Sequence, residues 1–310
     1  MNLLFNVQNL IERNFLKELI DNPYRLSDVG FEEVIKILNN AKKVFKNENL
    51  LLEFNLQNSK KEVYVIGDIH GNLETLLALY NIIELNNPEL VIFLGDIVDR
   101  GAKQLECLLF ILSLKVLDPH RYYLLRGNHE TSEMNQHYGF RQEFINKYKD
   151  PHRFEEILAV YDSLPICAIV NSKILCLHGG VPQDMEILQK IKGVRTSNLS
   201  KIYESIAQSF TQIMWNDPKM GLQGFSTSFR GSGIKCFGED VFENFLKENN
   251  LKLLIRAHEY FPEGYRWFFH NRLLSIFSSA NYRGGFSPNP ASYAVIRRNE
   301  ITPKIINLNE

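Results

Sequence analysis

The order of apolar runs predicts an α/β (α+β) fold. Three times within roughly 70 residues a short β-rich run leads into a Gly-containing polar turn and then an amphipathic helix, and strands dominate the chain after residue 163. Strand and helix in alternation imply parallel strands, and the turns at their carboxyl ends form one ligand-binding edge. A chain of 310 residues with 45% hydrophobic content can bury a full core, so one domain over 1–310 is expected.

Taken in order, residues 1–51 place apolar side chains at helical spacing: Leu3, Leu4, Val7, Leu10 and Ile11, then Val34, Ile35, Leu38, Ala41 and Val44. Asn22-Pro23 breaks the first helices. Residues 50–56 read as a short strand, which makes 1–56 a mainly helical N-terminal cap, and 57–61 as a polar turn. The three units follow: 62–66 runs into Gly67-Asp68-Ile69-His70-Gly71, 90–94 into Gly95-Asp96-Ile97-Val98-Asp99-Arg100-Gly101, and 122–125 into Arg126-Gly127-Asn128-His129-Glu130. Residues 133–163 are helix-rich. Runs at 165–170 and 173–177 read as a hairpin ending at His178-Gly179-Gly180, and further strands are expected at 253–255, 265–269, 272–277 and 292–296. The stretch 182–235 has weak periodicity and reads as loops and short helices. No other internal repeat and no low-complexity linker divides the chain.

Thirty-five Lys and Arg against thirty-six Asp and Glu leave a formal charge of −1, so no global basic field draws the protein to nucleic acid or anionic lipid. The four cysteines, Cys107, Cys167, Cys176 and Cys236, are scattered and form no CxxC pair. They read as reduced thiols of a cytoplasmic protein, not as a disulfide or zinc framework. No apolar stretch reaches the ~18 residues of a membrane span, and the mixed polar character of the first fifteen residues leads us to expect no signal peptide. The last strand expected lies close to residue 310.

The polar turns carry the chemistry. Asp68 and His70 alternate by two, which in extended backbone at a strand end would point both side chains to one face and one ion. Asp96 stands in the same place relative to the next strand, and a carboxylate there can bridge two cations ~3.5–4 Å apart. Asn128, His178 and His258 each close another apolar run. Carboxylate, amide oxygen and imidazole together form a mixed shell suited to two divalent ions, Mn²⁺ first, with Fe or Zn as alternatives. Taken singly, each residue has an ordinary explanation as a cap, a turn residue or a hydrogen-bonded histidine. Six of them, every one at the end of an apolar run, point to a shared site. His120, His137, His152 and His270 lie in charged or aromatic surroundings without such turns and are expected to play no part in the site.

The three turn motifs, with His178-Gly179-Gly180 and Arg256-Ala257-His258-Glu259, resemble the signature of the PPP family of serine/threonine phosphatases, which includes types 1, 2A and calcineurin. The match runs in order from about residue 28 to 300. This resemblance implies a central β-sandwich of mixed sheets flanked by helices, the calcineurin-like metallophosphoesterase fold, with the metals at the sandwich edge. It also implies that Asp68, His70 and Asp96 hold one ion, and that Asp96, Asn128, His178 and His258 hold the other. His129 would be the general acid, oriented by Asp99. Arg100, Arg230, Tyr282 and Asn128 would contact the phosphate. The expected reaction is hydrolysis of phosphoserine and phosphothreonine monoesters by a metal-activated water, since two divalent ions lower the pKa of a bridging water from ~15.7 toward ~7. Guanidinium groups pair with phosphate oxygens, and an imidazolium can protonate the departing alkoxide.

Departures from the family pattern at Asn72, Ser279, Ala280 and Arg283, and in the loop 230–238, bear on substrate preference and leave the metal set intact. The rival enzyme reading is a dinucleoside polyphosphate hydrolase or a broad-specificity phosphoesterase. The Arg230-Gly231 and Asn281-Tyr282 elements favour the protein phosphatase. A catalytically inactive binding module has no chemical need for the full ligand set and His129. Phosphorylated proteins are the expected partners, with regulatory subunits as further ones and neither nucleic acid nor membrane.

Overall fold

The computed structural model describes residues 2–56, 61–284, 288–306 and 308. The chain opens with α1 (Asn2–Asp21), which ends at Asn22-Pro23 as proline requires, and a 3-10 turn leads into α2 (Phe31–Phe45). Helix α2 buries Val34, Ile37, Leu38, Ala41 and Phe45, a stripe at 3–4 residue spacing. Glu32 and Glu33 in its first turn and Lys42 and Lys43 in its last complement the helix dipole. Strand β1 (Leu51–Phe54) follows; the polar turn expected at 57–61 lies outside the described residues except for Lys61.

The three repeated units form β2 (Val63–Ile66), α3 (Leu73–Asn86), β3 (Leu90–Phe93), α4 (Gln104–Leu117) and β4 (Tyr122–Leu124), the strands parallel as expected. Helices α5 (Ser132–Tyr138), α6 (Phe140–Tyr148) and α7 (Glu155–Tyr161) fill the helix-rich segment. Then β5 (Cys167–Val170) and β6 (Ile174–Leu177) make the expected antiparallel hairpin.

The stretch 182–235 differs from its reading. After α8 (Ile187–Ile191) it contains α9 (Leu199–Trp215), a helix of 17 residues, and the strands β7 (Asp217–Pro218) and β8 (Phe225–Thr227). With β9 (Lys235–Phe237) these two strands form a small three-stranded sheet. Helix α9 buries Leu199, Ile206, Phe210, Ile213 and Met214 at helical intervals, but also Ser209 and Gln212. Those polar residues interrupt the apolar pattern in the sequence. The chain ends with α10 (Glu239–Glu248), β10 (Leu253–Arg256), β11 (Tyr265–Phe268), β12 (Leu273–Ile276), β13 (Ala291–Arg297) and β14 (Glu300–Ile306), the last an edge strand with mostly exposed or half-buried side chains.

Two sheets stack as a sandwich, one ordered β1-β5-β6-β10-β12-β11 and the other β14-β13-β2-β3-β4. The period-2 alternation of side chains assigns their faces. Val63 and Val65, Leu90 and Ile92, and Ile174 and Cys176 meet in the core between the sheets. Tyr64, Ile66, Val91 and Phe93 face outward into a second core with α1 to α4, α6 and α7. Leu175 and Leu177 face a third, built with α8 to α10. Helices therefore flank both outer faces, and the carboxyl ends of β2, β3, β4, β6 and β10 converge on one edge. Cys107, Cys167 and Cys176 are buried free thiols and Cys236 is a half-buried one. Among the described residues no helix is long and apolar enough to cross a membrane.

Candidate metal centre and active site

The residues that close β2, β3 and β4 come together with those that close β6 and β10. Asp68 and His70 do not alternate in extended backbone as their spacing suggested. His70 has φ 49°, so the chain coils back after Asp68. The pair still faces one point, with His70 Nε2 3.6 Å from Asp68 Oδ2. Asp96 (φ 54°), Asp99 (φ 67°), Arg100 (φ 76°) and His258 (φ 71°) share this left-handed conformation, which non-glycine residues adopt at a cost and which clusters at functional sites.

Hydrogen bonds set which imidazole nitrogen is free. His70 Nδ1 donates to Val98 O at 3.0 Å and His178 Nδ1 to Leu94 O at 3.1 Å, leaving each Nε2 lone pair aimed at the carboxylates. Asp96 divides its two oxygens. Its Oδ1 lies 3.3 Å from His178 Nε2 and accepts the His129 N–H at 2.8 Å, while Oδ2 lies 3.7 Å from His70 Nε2. Asn128 Oδ1 is 2.9 Å from His178 Nε2. The His258 N–H donates to Asp68 Oδ1 at 2.9 Å. Asp68 Oδ2 and His258 Nε2 are buried, yet among the described residues neither has a hydrogen-bond partner. Orphaned polar atoms of this kind are costly in a protein interior unless something else satisfies them.

Potential ligand atoms of His70, Asp96 and His129 lie within 4.8 Å of one another, as do those of Asp96, His178 and His258. Asp96 belongs to both groups. The donor set of carboxylate, imidazole and amide oxygen, with two orphaned atoms aimed inward, fits divalent metal ions.

The electrostatics follow from burial and crowding. Burial and then the neighbouring Asp96 push Asp68 up to about 6. Burial and then His129 push His70 down to about 4, so its imidazole is neutral, as a ligand must be. Burial also opposes the charge on Asp96, but His178 and His129 outweigh it and hold the carboxyl well below its ordinary value. Burial, then Arg230 and His178, depress His258.

His129 is arranged differently. Its Nδ1 pairs with Asp99 Oδ2 at 2.7 Å, and Asp99 in turn accepts from Asn135 Nδ2 at 2.9 Å and the Phe140 N–H at 3.1 Å. Burial would lower its pKa, but Asp96 and Asp99 outweigh burial and raise it.

Around this centre lies an open cavity of about 640 Å³, lined by Arg100, Arg230 and Tyr282 together with the ligand candidates Asp68, Asp96 and His258. His178 and Asp99 lie beneath it, fully buried. The Arg100 guanidinium stacks 3.7 Å above the Tyr138 ring, and Tyr282 stacks on His70 at 5.2 Å. The structure thus brings every site residue expected from the sequence to one edge. His120, His137, His152 and His270 are exposed and lie outside this cavity.

Supporting residues went unassigned in the sequence. The Glu130 carboxylate accepts from the backbone N–H of Asp96 (2.8 Å), Ile97 (2.9 Å) and Gly127 (2.9 Å), tying the turn after β3 to that after β4. Asp217 accepts from Arg230 Nε at 2.5 Å through Oδ2 and from Arg256 Nη2 at 2.9 Å through Oδ1. Arg256 is fully buried. Glu130 and Arg256 stood inside recognised motifs, which was their only signal. Asn135 and Asp217 had none.

Such a centre at the carboxyl ends of the strands fits a hydrolase that works through bound divalent metal ions. The family profile of calcineurin-like phosphoesterases matches residues 61–262, and the chain belongs to that family. It is similar to a protein serine/threonine phosphatase from Saccharomyces cerevisiae, itself described as similar to human phosphatase PP5, at 27% identity over 90% of each chain with a TM-score of 0.79. This similarity and the motif set agree on a PPP-type phosphatase. A cold-active protein-tyrosine phosphatase from a psychrophilic Shewanella shares the fold at 16% identity, over 86% of this chain and 84% of that one, with a TM-score of 0.57.

Proposed function

We propose that the protein is a serine/threonine protein phosphatase that hydrolyses phosphoserine and phosphothreonine monoesters. The observation that carries this reading is the Asp99–His129 pair beside Asp96, on a cavity lined by Arg100 and Arg230. Asp68, His70 and Asp96 would hold one divalent ion and Asp96, Asn128, His178 and His258 a second, Mn²⁺ being best suited and Fe or Zn also compatible. Bound ions supply Lewis acidity and lower the pKa of a water toward neutrality.

The remaining work falls to side chains. Arg100, Arg230 and Tyr282, with the amide of Asn128, bind and orient the phosphate, the guanidiniums countering the charge that grows in the transition state. His129, its pKa raised and its Nδ1–H held by Asp99, keeps a proton on Nε2 and delivers it to the departing seryl or threonyl oxygen. The 27% identity to a serine/threonine phosphatase over 90% of both chains supports the substrate class. Phosphorylated proteins are then the partners, and regulatory subunits further ones.

A panel of phosphoserine, phosphothreonine and phosphotyrosine peptides with diadenosine tetraphosphate, assayed with Mn²⁺, tests the reading. The highest kcat/KM is expected on the phosphoserine and phosphothreonine peptides. Preference for phosphotyrosine or for the dinucleotide would overturn it.

A further inference from the structure

Phe229 is 93% exposed, yet it lines the catalytic cavity. Its position is imposed by the loop between β8 and β9. The Ser228 N–H donates to Ile234 O at 3.1 Å, the Arg230 N–H to Ser228 Oγ at 3.2 Å, and Gln212 Nε2 from α9 to Gly233 O at 2.9 Å. Gly231 (φ 151°) and Gly233 (φ 80°) take up turns that other residues rarely adopt. Within this loop Arg230 is drawn inward to Asp217, which the fully buried Arg256 holds in place. With Arg230 anchored, its neighbour Phe229 projects at the cavity mouth, its ring centroid 5.6 Å from the Arg230 guanidinium.

We propose that Phe229 is a specificity-determining residue that contacts an apolar side chain immediately flanking the phosphorylated residue of the substrate. This inference rests on the protein-substrate reading above. A phenyl ring has no polar atom to offer the phosphate, and at 93% exposure it contributes little to the core. Leaving it in water forgoes the gain from burying it, which a substrate side chain could recover. Of the large apolar side chains that are exposed among the described residues, Phe229 and Tyr138 line this cavity, and Tyr138, 39% exposed, is already covered by the Arg100 guanidinium. Met134 and Trp215, both half-buried, add apolar surface to the same cavity. Consecutive Cα atoms in a peptide are about 3.8 Å apart. A residue next to one whose phosphate sits on Arg230 is therefore within reach of the ring.

The test compares phosphoserine peptides identical except for Leu or Asp at the position before, or the position after, the phosphoserine. The wild-type protein should favour Leu over Asp on one side by about tenfold in kcat/KM, the scale of one apolar contact. Phe229→Ala should bring that ratio close to one, and Phe229→Leu should restore part of it, with thermal melting unchanged because the ring is exposed. Equal turnover of the Leu and Asp peptides by the wild type, or an unaltered preference in Phe229→Ala, would overturn the inference. Hydrolysis of p-nitrophenyl phosphate without hydrolysis of any phosphopeptide would instead overturn the protein-substrate reading, and this inference with it.

Discussion

The histidines of the centre divide according to what holds their Nδ1. Backbone carbonyls hold it in His70 and His178, which frees Nε2 as a lone pair, whereas the carboxylate of Asp99 holds it in His129 and favours the protonated ring. His129→Asn should therefore lower turnover of phosphoserine peptides by ~10²–10⁴-fold. Its effect on p-nitrophenyl phosphate, whose leaving group needs no proton, should be much smaller. Metal content should stay unchanged. Equal losses on both substrates would contradict the acid role, and Asp99→Asn should give the same pattern more mildly. Arg230→Ala should cost about 2–4 kcal/mol in kcat/KM with both ions retained. Asp217→Asn should raise KM in the same direction by freeing the Arg230 side chain, and an unchanged KM would remove Asp217 from that role. Residue types were legible because each stands at the end of an apolar run. Their geometry was not, since the left-handed turn at His70 leaves no mark in a two-residue spacing.

Between elements, Glu130 and Gly127 join the turns on which Asp96 and Asn128 sit. Glu130→Ala would leave three buried N–H groups without their acceptor, a loss of about 3–5 kcal/mol of stability measurable by denaturant unfolding. A loss below 1 kcal/mol would show that water or a rearranged turn replaces the carboxylate. A Cβ on Gly127 would come within 2.3 Å of Asp96 Oδ1 and 2.5 Å of Asp96 N, so Gly127→Ala should displace the shared carboxylate and lower metal content even if the fold survives. The strands that carry these turns were readable as apolar runs closed by glycine. Helix α9 was hidden by its buried Ser209 and Gln212, the latter used to bind Gly233 O. The edge strand β14 was hidden by its exposed, mixed composition. Nothing local in the sequence links Asp217 to Arg230, because that contact depends on how the small sheet folds beside β10.

Across the whole molecule, the centre spans the sandwich. Asp68, His70, Asp96 and Asn128 follow strands of one sheet, and His178 and His258 follow strands of the other. Ions shared between them would fasten the two sheets at this edge, so binding should stabilise the fold. At a free Mn²⁺ concentration of 100 times the dissociation constant the gain is about 2.7 kcal/mol per site, seen as a higher Tm. An unchanged Tm with the metal demonstrably bound would show that the unfolded chain holds the ions as well as the folded one, and would contradict a centre that only the fold assembles. The central claim is a two-ion centre bridged by Asp96, and its most direct test is elemental analysis of metal per chain in wild type and Asp96→Asn, with phosphoserine-peptide turnover on the same samples. Two ions per wild-type chain are expected, with loss from both positions and near-complete loss of turnover in Asp96→Asn. Two ions and near-normal turnover in that variant would contradict the account.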